Sequence, residues 1–281
     1  MNAVHINWTK PYFERHSGDY SVEDFELLTT VLSALKWREK NGSIKMITDT
    51  VGAEYYRRNG MEELWDGGIH VSLDDIKEDA YMFWAAGKLH ALRNESAPVA
   101  VIDTDFIVWE EILFDKLPDL TVIHDEELYP DVYPDVNAFR MKGAYRFDPS
   151  WNWHLKALNT AFYIIKNKKL LDVYTNEAIY FMENAEPQDD PLRYMVFAEQ
   201  RLLPMCAAKL GCEVKTFSTL ERLFKHGEGW FTHIWGMKQQ MRDDAYLRDA
   251  FCRRCAERIR RDYPYWAEKL KKVETLSRYF S

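Results

Sequence analysis

The stretch from Pro98 to Trp109 constrains this chain more than any other. Val99, Ala100, Val101 and Ile102 are apolar without interruption, and the run ends at two carboxylates, Asp103 and Asp105. A strand that is apolar on both faces must be covered on both, which is the situation of a strand inside a parallel sheet. Ligands of open α/β sheets gather outside the carboxyl ends of such strands, so the two acids stand where chemistry is usually done. At a spacing of i, i+2 they can aim oxygen ligands at one hard cation, and Mg²⁺ or Mn²⁺ held in this way keeps positions for substrate phosphates. A strand followed by solvated turn acids is the plainer alternative, and the rest of the chain decides between the two.

The flanking residues supply the setting. Ala3–Trp8, Ile44–Thr48 and Ile69–Ser72 read as strands. The spacing of Val22, Phe25, Leu28, Leu32 and Leu35 predicts a helix over Ser21–Asn41, with Ser21 as N-cap, Asp24 in the capping-box position and Gly42 as the stop. Helices over Ala53–Arg58 and Asp79–Leu92 complete an alternation that predicts the α/β class: a doubly wound, mostly parallel sheet with flanking helices. Beyond Asp105, short apolar pieces separated by Pro118, Pro130, Pro134 and Pro149 suit extra strands and active-site loops. Leu155–Ile165 mixes two periods and stays undecided. Leu170–Glu183 and Pro191–Leu210 read as helices, the second kinked or broken at Pro204, and Cys212–Phe217 as a late strand. Asp243–Asp262 and Tyr265–Tyr279 read as closing helices.

At 281 residues and 47% hydrophobic, the chain can build one large core, and no linker divides it. We expect residues 1–240 to form the body that carries the acids, with 241–281 a helical extension packed on it. No apolar stretch reaches the roughly 18 residues of a membrane span, and the first residues lack a basic or apolar signal region, so a cytoplasmic protein is expected. Four unevenly placed cysteines predict reduced thiols, and Cys252 with Cys255 would be half a zinc site lacking its other half.

The net charge of −8 is unevenly spread. Eleven Asp or Glu stand against one Lys between Asp103 and Asp135, whereas nine Lys or Arg stand against four acids from Arg253 to Arg278. The first region attracts cations and the second anions. Nucleic acid is not an expected partner, because the remainder of the chain would repel phosphate backbones. Basic residues interleaved with Tyr263, Tyr265, Trp266, Tyr279 and Phe280 fit peripheral contact with anionic lipid at the inner face of a membrane; a solvated helical face is the alternative.

Far downstream, residues 232–238 read Thr-His-Ile-Trp-Gly-Met-Lys. His233 followed by Gly236 lets the backbone approach a ligand while the imidazole reaches a metal, and Lys238 can meet a phosphate. Together with the apolar strand ending Asp-x-Asp, this segment resembles the sugar-nucleotide-dependent glycosyltransferases of GT-A fold. The likeness is greatest to the family 8 glycosyltransferases and their bacterial capsule and lipopolysaccharide relatives. Phe83–Leu89 resembles that family's helix before the acidic strand, with Lys88 as the basic residue facing the donor. Leu158–Ile164 is similar to its Asn-Ala-Gly segment, with Asn159 in the leading place and Ala161 where the family has Gly. Phe197–Leu203 is similar to its Asp-Gln-Asp-x-Leu element, keeping an acid in Glu199 and the Gln in Gln200, with Arg201 in place of the second acid. Met237 alone separates Gly236 from Lys238, one residue fewer than in the family.

The resemblance implies a GT-A-like fold and a metal-dependent glycosyltransferase of polysaccharide biosynthesis. Such an enzyme moves a sugar from a nucleoside-diphosphate sugar to a glycan or lipid-linked acceptor. Asp103, Asp105 and His233 would hold Mn²⁺ or Mg²⁺, Lys88, Lys238 and Asp103 would face the donor diphosphate, and Glu199 and Asn159 would stand beside the sugar. Family 8 implies a retaining outcome; an inverting one would need a base, a part open to Glu199. Asp49 and Thr50, ending the second strand, and His5, Trp8, Lys10 and Pro11, ending the first, are candidates for contact with the nucleotide. Acids as close as Asp103 and Asp105 repel each other without a cation, so one should titrate above a free Asp. A nucleotidyltransferase or phosphohydrolase using the same acids, or a non-catalytic sugar-binding or scaffold protein of the same fold, remain as alternatives.

Overall fold

The computed structural model describes residues 1–281, all but the side chain of His226. Its strands are β1 (Ala3–Asn7), β2 (Ile44–Thr48), β3 (Ile69–Val71), β4 (Val99–Ile102), β5 (Phe106–Val108), β6 (Leu120–Val122), β7 (Asp125–Glu126), β8 (Ala157–Leu158), β9 (Phe162–Ile165), β10 (Val214–Thr216) and β11 (Phe231–His233). Seven of them form one sheet in the order β3-β2-β1-β4-β9-β6-β10. Neighbours are parallel except at β9, which runs against both β4 and β6. Two reversals restore direction, so β6 points the same way as β4. The carboxyl ends of β1, β2, β4 and β6 therefore share one edge with the amino end of β9. The chain runs outward from β1 to β3 and returns to β4 on the other side of β1, which makes the β1/β4 crevice the topological switch point.

β4 is apolar on both faces because each face has its own core. Ala100 and Ile102 pack with the Asp24–Lys40 helix and the C-terminal helices, whereas Val99 and Val101 pack with the helices Ala86–Arg93, Lys168–Asn184 and Leu202–Lys209. All four residues are buried. This is the doubly wound, mostly parallel α/β architecture with flanking and C-terminal helices that the sequence predicts, and it is consistent with a GT-A-like fold.

Several boundaries differ from expectation for identifiable reasons. The first long helix starts at Asp24 with Glu23 as N-cap, and Ser21 lies outside it. Asp24 does not serve as a capping-box partner. It is buried, accepting from Arg248 Nε at 2.7 Å, Arg278 Nη2 at 2.8 Å and Tyr279 Oη at 2.7 Å, and so ties residues beyond 241 to the first helix. The helix expected from Asp79 is confined to Ala86–Arg93, because the Asp79 carboxylate accepts from Tyr81 N and Met82 N and closes a local turn instead. Asp49 caps a helix that begins at Thr50, earlier than Ala53. The undecided stretch 155–165 resolves into β8 and β9. The expected closing helix Tyr265–Tyr279 is broken into Pro264–Leu270 and Ser277–Phe280, with buried Val273 and Leu276 in the turn between.

The chain from Pro191 to Leu210 is helical throughout, and its irregularity precedes Pro204. Leu192–Val196 passes into a π-helical turn at Phe197–Arg201 and then into Leu202–Lys209. Pro204 has no N–H to give the carbonyl four residues earlier, so a widened turn ahead of it leaves fewer unmet donors and acceptors.

No helix among the described residues is long and apolar enough to cross a membrane. Of the aromatic residues set among the C-terminal basic ones, Trp266, Tyr279 and Phe280 are buried in the core, and Tyr265 is exposed.

Candidate functional site

The chain turns directly after β4. Phe106 N donates to the Asp103 carbonyl at 3.0 Å, and β5 leaves in a new direction to pair with β11. The register sets His233 opposite Phe106, and Ile234 N donates to the Asp105 carbonyl at 3.2 Å. This two-stranded ladder carries His233 and Lys238 from the far end of the chain to the acids. The residues around His233 were legible as a motif, but β11 itself was not expected.

Asp105 is buried between those two partners. Lys238 Nζ stands 3.0 Å from Asp105 Oδ2 and 2.8 Å from Glu26 Oε1 of the Asp24–Lys40 helix, while His233 Nε2 faces Asp105 Oδ1 at 3.7 Å. Burial would raise the Asp105 pKa, but Lys238, His233 and Lys88 together outweigh it and the carboxyl is held below its ordinary value. Burial lowers the His233 pKa against the pull of Asp105, so the imidazole stays neutral and keeps a lone pair. A Cβ on Gly236 would meet no atom within 4 Å, so the space there would admit a side chain and the close approach expected of this glycine is not made to any part of the chain.

Asp103 is held from the other side. Lys88 Nζ donates to Glu199 Oε1 at 2.6 Å and the Thr160 carbonyl at 3.1 Å, and its charge is paired with Asp103 Oδ1 at 2.7 Å. Burial disfavours that ammonium, but Asp103 and Glu199 prevail and raise the Lys88 pKa above its ordinary value. Burial, with Asp105 and Glu199 adding to it against Lys88, pushes the Asp103 carboxyl up to about 7. One of the paired acids thus titrates high, as their crowding predicts, although desolvation contributes more than repulsion. Lys88 reaches this position because Gly87 lets its helix lie against the end of β1: a Cβ there would stand 2.4 Å from Trp8 Cβ.

Glu199 sits in the π-helical turn, where the fully buried Tyr174 Oη donates to its carbonyl at 2.6 Å. Arg201, where the family has an acid, is buried and donates to the carbonyls of Trp153 and Leu155. A carboxylate could only accept and would have no place against two carbonyls. Asn159 joins three parts of its neighbourhood: its N–H donates to the His124 carbonyl at 3.0 Å, Nδ2 to Glu126 Oε1 at 2.9 Å, and Oδ1 accepts from Ala161 N at 3.1 Å.

The candidates nearer the nucleotide side are placed differently. Asp49 is buried, and its carboxylate accepts from Thr9 N at 2.7 Å, Thr9 Oγ1 at 2.8 Å and Gly52 N at 2.9 Å, so it acts as a helix cap that ties β2 to β1. His5 is fully buried in a chain of hydrogen bonds running from Trp65 Nε1 through His5 to Ser33 Oγ and the Phe106 carbonyl. Because Ser33 gives its proton to that carbonyl, His5 Nε2 carries the ring proton and Nδ1 accepts from Trp65. Lys10 Nζ donates to the carbonyls of Asp74 and Ile76. Asn7 Nδ2 and Trp8 Nε1, at the end of β1, are buried donors without a partner among the described residues.

The four carboxylates of Glu26, Asp103, Asp105 and Glu199 surround the two ammonium groups of Lys88 and Lys238, with the Arg242 guanidinium 3.9 Å from Glu26, so acids outnumber cations around this edge of the sheet. Among the described residues no three His, Cys, Asp or Glu side chains already stand as a metal-binding group, so Asp103, Asp105 and His233 are not gathered into the expected ligand set. A cleft of about 570 Å³ lies elsewhere, lined by Glu78, Phe83, His90 and Met182 among others, and includes none of these residues.

A doubly wound α/β protein with paired acids at the switch point is the class that fold and site define. Within it, the chain belongs to the family described as a family of unknown function (DUF6734), which residues 1–273 match. No curated protein matches the sequence. Solved structures similar to the chain include the PaToxG glycosyltransferase, at 10% identity and a TM-score of 0.40 over 99% of this chain and 85% of that one. The apo form of the glycosyltransferase GlyE of Streptococcus pneumoniae TIGR4 matches at 16% identity and a TM-score of 0.37 over 79% of this chain and 45% of GlyE. HddC from Yersinia pseudotuberculosis matches at 13% identity and a TM-score of 0.41 over 83% of this chain and 93% of HddC.

Proposed function

We propose that the chain is a glycosyltransferase that takes a sugar from a nucleoside-diphosphate sugar and passes it to a glycan or lipid-linked acceptor in the cytoplasm. The observation that carries the reading is the convergence of Asp103, Asp105, His233, Lys88 and Lys238 on the ligand-bearing edge of the sheet, beside the β1/β4 crevice. The excess of acids over cations in this cluster suits a further cation, and a neutral imidazole facing a carboxylate oxygen is a donor set suited to Mn²⁺ or Mg²⁺. Asp105, His233 and Asp103 would hold that ion, which supplies a Lewis acid for the departing diphosphate. Orphan donors at Asn7 and Trp8 suit acceptor atoms of the nucleotide.

As the bond from the anomeric carbon to phosphate stretches, negative charge grows on the leaving group and positive charge on the sugar ring. Lys88 and Lys238 offer fixed positive charge to the first, already oriented by their carboxylate partners. Glu199 and Asn159 are polar neighbours for the second. Residues 1–240 make up the catalytic body on this reading, and 241–281 an extension in which exposed Tyr265 and the arginines and lysines could meet anionic lipid.

Incubation with UDP-sugars and GDP-sugars in the presence of Mn²⁺ tests the reading. Release of nucleoside diphosphate supports sugar transfer or donor hydrolysis. Release of monophosphate or pyrophosphate overturns it in favour of nucleotidyl transfer or phosphohydrolysis, and no turnover together with no thermal shift by any nucleoside diphosphate favours a scaffold.

A further inference from the structure

Glu199 is poorly placed to act as a base, because Lys88 holds its carboxylate at 2.6 Å in a buried ion pair. The same edge of the sheet presents another group that the sequence motifs did not single out. His124 follows β6 by two residues, and β6 is two strands from β4, so at the usual spacing the two strand ends stand roughly 10 Å apart along the edge, that of β6 on the side away from β1. If the nucleotide lies at β1 and the diphosphate at β4, the transferred sugar and its acceptor fall on this side.

The surroundings of His124 fix its chemistry. The ring is buried, with 7% exposure, and Nδ1 lies 2.9 Å from the Asp125 carbonyl. A carbonyl only accepts, so Nδ1 carries the proton, and in the neutral ring Nε2 carries the lone pair. Glu126 Oε1 lies 3.7 Å from Nδ1 and is itself held by Asn159 Nδ2 at 2.9 Å. Asn159 N also donates to the His124 carbonyl, so backbone and carboxylate are pinned by one residue. No donor or acceptor among the described residues meets Nε2. A carbonyl on the protonated nitrogen with a carboxylate close behind it, and the other nitrogen without a partner, is an arrangement that orients an imidazole as a general base.

We infer that His124 is the base that deprotonates the acceptor hydroxyl, and that transfer proceeds with inversion, unlike the retaining outcome the family resemblance implies. The inference rests on the glycosyltransferase reading. The acceptor oxygen forms its bond to the anomeric carbon while the bond from that carbon to the phosphate oxygen breaks, its electron pair leaving with the nucleoside diphosphate. The hydroxyl proton passes to Nε2, and the imidazolium so formed is stabilised by Glu126 and the Asp125 carbonyl until it returns the proton to solvent.

The test uses the full chain with Mn²⁺, UDP-glucose, UDP-galactose, UDP-N-acetylglucosamine and GDP-mannose, and methanol as a defined acceptor, because a methyl glycoside cannot change its anomeric configuration after release. Expected are a methyl glycoside of configuration opposite to the donor and a loss of about 100-fold or more in turnover in His124→Ala. The variant should keep the thermal shift given by the nucleoside diphosphate and regain turnover when free imidazole is added. Retained configuration, or turnover of His124→Ala within threefold of the parent, overturns the assignment while leaving glycosyl transfer intact. If His124→Ala loses the nucleotide shift, His124→Gln is measured in its place, and turnover within threefold of the parent in that variant overturns the assignment too. A parent protein that neither turns over nor shifts with any nucleoside diphosphate overturns the glycosyltransferase reading, and this inference with it.

Discussion

Lys88 and Glu199, 111 residues apart, meet at 2.6 Å under the edge of the sheet, and the same ammonium holds Asp103 at 2.7 Å. Removing the cation strands the buried Glu199 carboxylate and takes a partner from the partly exposed Asp103, and breaking a buried pair from one side costs about 3–5 kcal/mol. Lys88→Met should therefore lower stability by about 3 kcal/mol, and adding Glu199→Gln to it should recover part of that loss. Urea unfolding of the two single variants and the double variant measures the coupling, and additive losses would show that the contact contributes nothing.

Asp105 has Lys238 on one oxygen and His233 facing the other. Asp105→Asn should lower nucleoside-diphosphate release by about 100-fold or more and lower the melting temperature only modestly, since the folded chain favours this carboxylate but Lys238 keeps Glu26 as a partner. Chelation by EDTA should abolish activity in the parent protein, and added Mn²⁺ should restore it. Activity that survives EDTA would rule out a cation in the reaction.

Asp103 protonates near neutrality when no cation is bound, because burial has pushed its carboxyl up to about 7. A protonated acid is a poor ligand, so at limiting Mn²⁺ activity should fall as pH drops from 8 to 6. Since cation and proton compete for the same oxygens, raising Mn²⁺ should move that fall to lower pH. Rates measured across pH at two Mn²⁺ concentrations check this, and coincident profiles refute it.

His5 gives the fold an acid sensitivity of its own. Burial, opposed by Asp105, keeps its imidazole neutral until about pH 3, whereas in the unfolded chain it takes up a proton near 6.5. Between these values the unfolded state binds a proton that the folded state refuses. Stability is therefore lost as pH falls from 6.5 toward 3, by about a few kcal/mol in all. His5→Gln can keep partners for Trp65 and Ser33 without that proton, so its deficit relative to the parent should shrink between pH 7 and pH 4.5 in urea unfolding. A constant deficit would exclude His5 as the source.

Asp24 joins the first long helix to the C-terminal ones through Arg248, Arg278 and Tyr279. Those partners outweigh burial and hold its carboxyl below the ordinary range. Asp24→Asn should loosen residues beyond 241 before the rest of the chain, so amide exchange should rise first in Ala245–Asp262 and Ser277–Phe280. Uniform protection across the chain would contradict it.

What could be read from the sequence was what local pattern determines. The run at Val99–Ile102 specified a doubly covered strand, and the alternation before it specified the parallel sheet, because both follow from neighbouring residues. The acids, His233 and the two lysines were legible as residue types, and the chain does bring them together. What escaped depended on distant partners. β5 and β11 are three residues each and exist only through one another, so neither has a period of its own. Asp24 looked like a cap because its partners lie more than 220 residues away. Asp49 looked free at a strand end, but the turn at Thr9 takes its carboxylate. The π-helical turn at Glu199 has no sequence signature beyond Pro204, and His124 stands in no motif.

The β5–β11 ladder also bears on synthesis of the chain. Asp105 emerges from the ribosome 128 residues before His233 and 133 before Lys238, and until those arrive its carboxylate has neither counter-charge nor imidazole. A fragment that ends between residues 217 and 232 contains the sheet edge, both acids and Lys88, but neither His233 nor Lys238. Such a fragment also lacks the C-terminal helices that cover one face of β4, so the surroundings of Asp105 and the core beneath them are completed late and together.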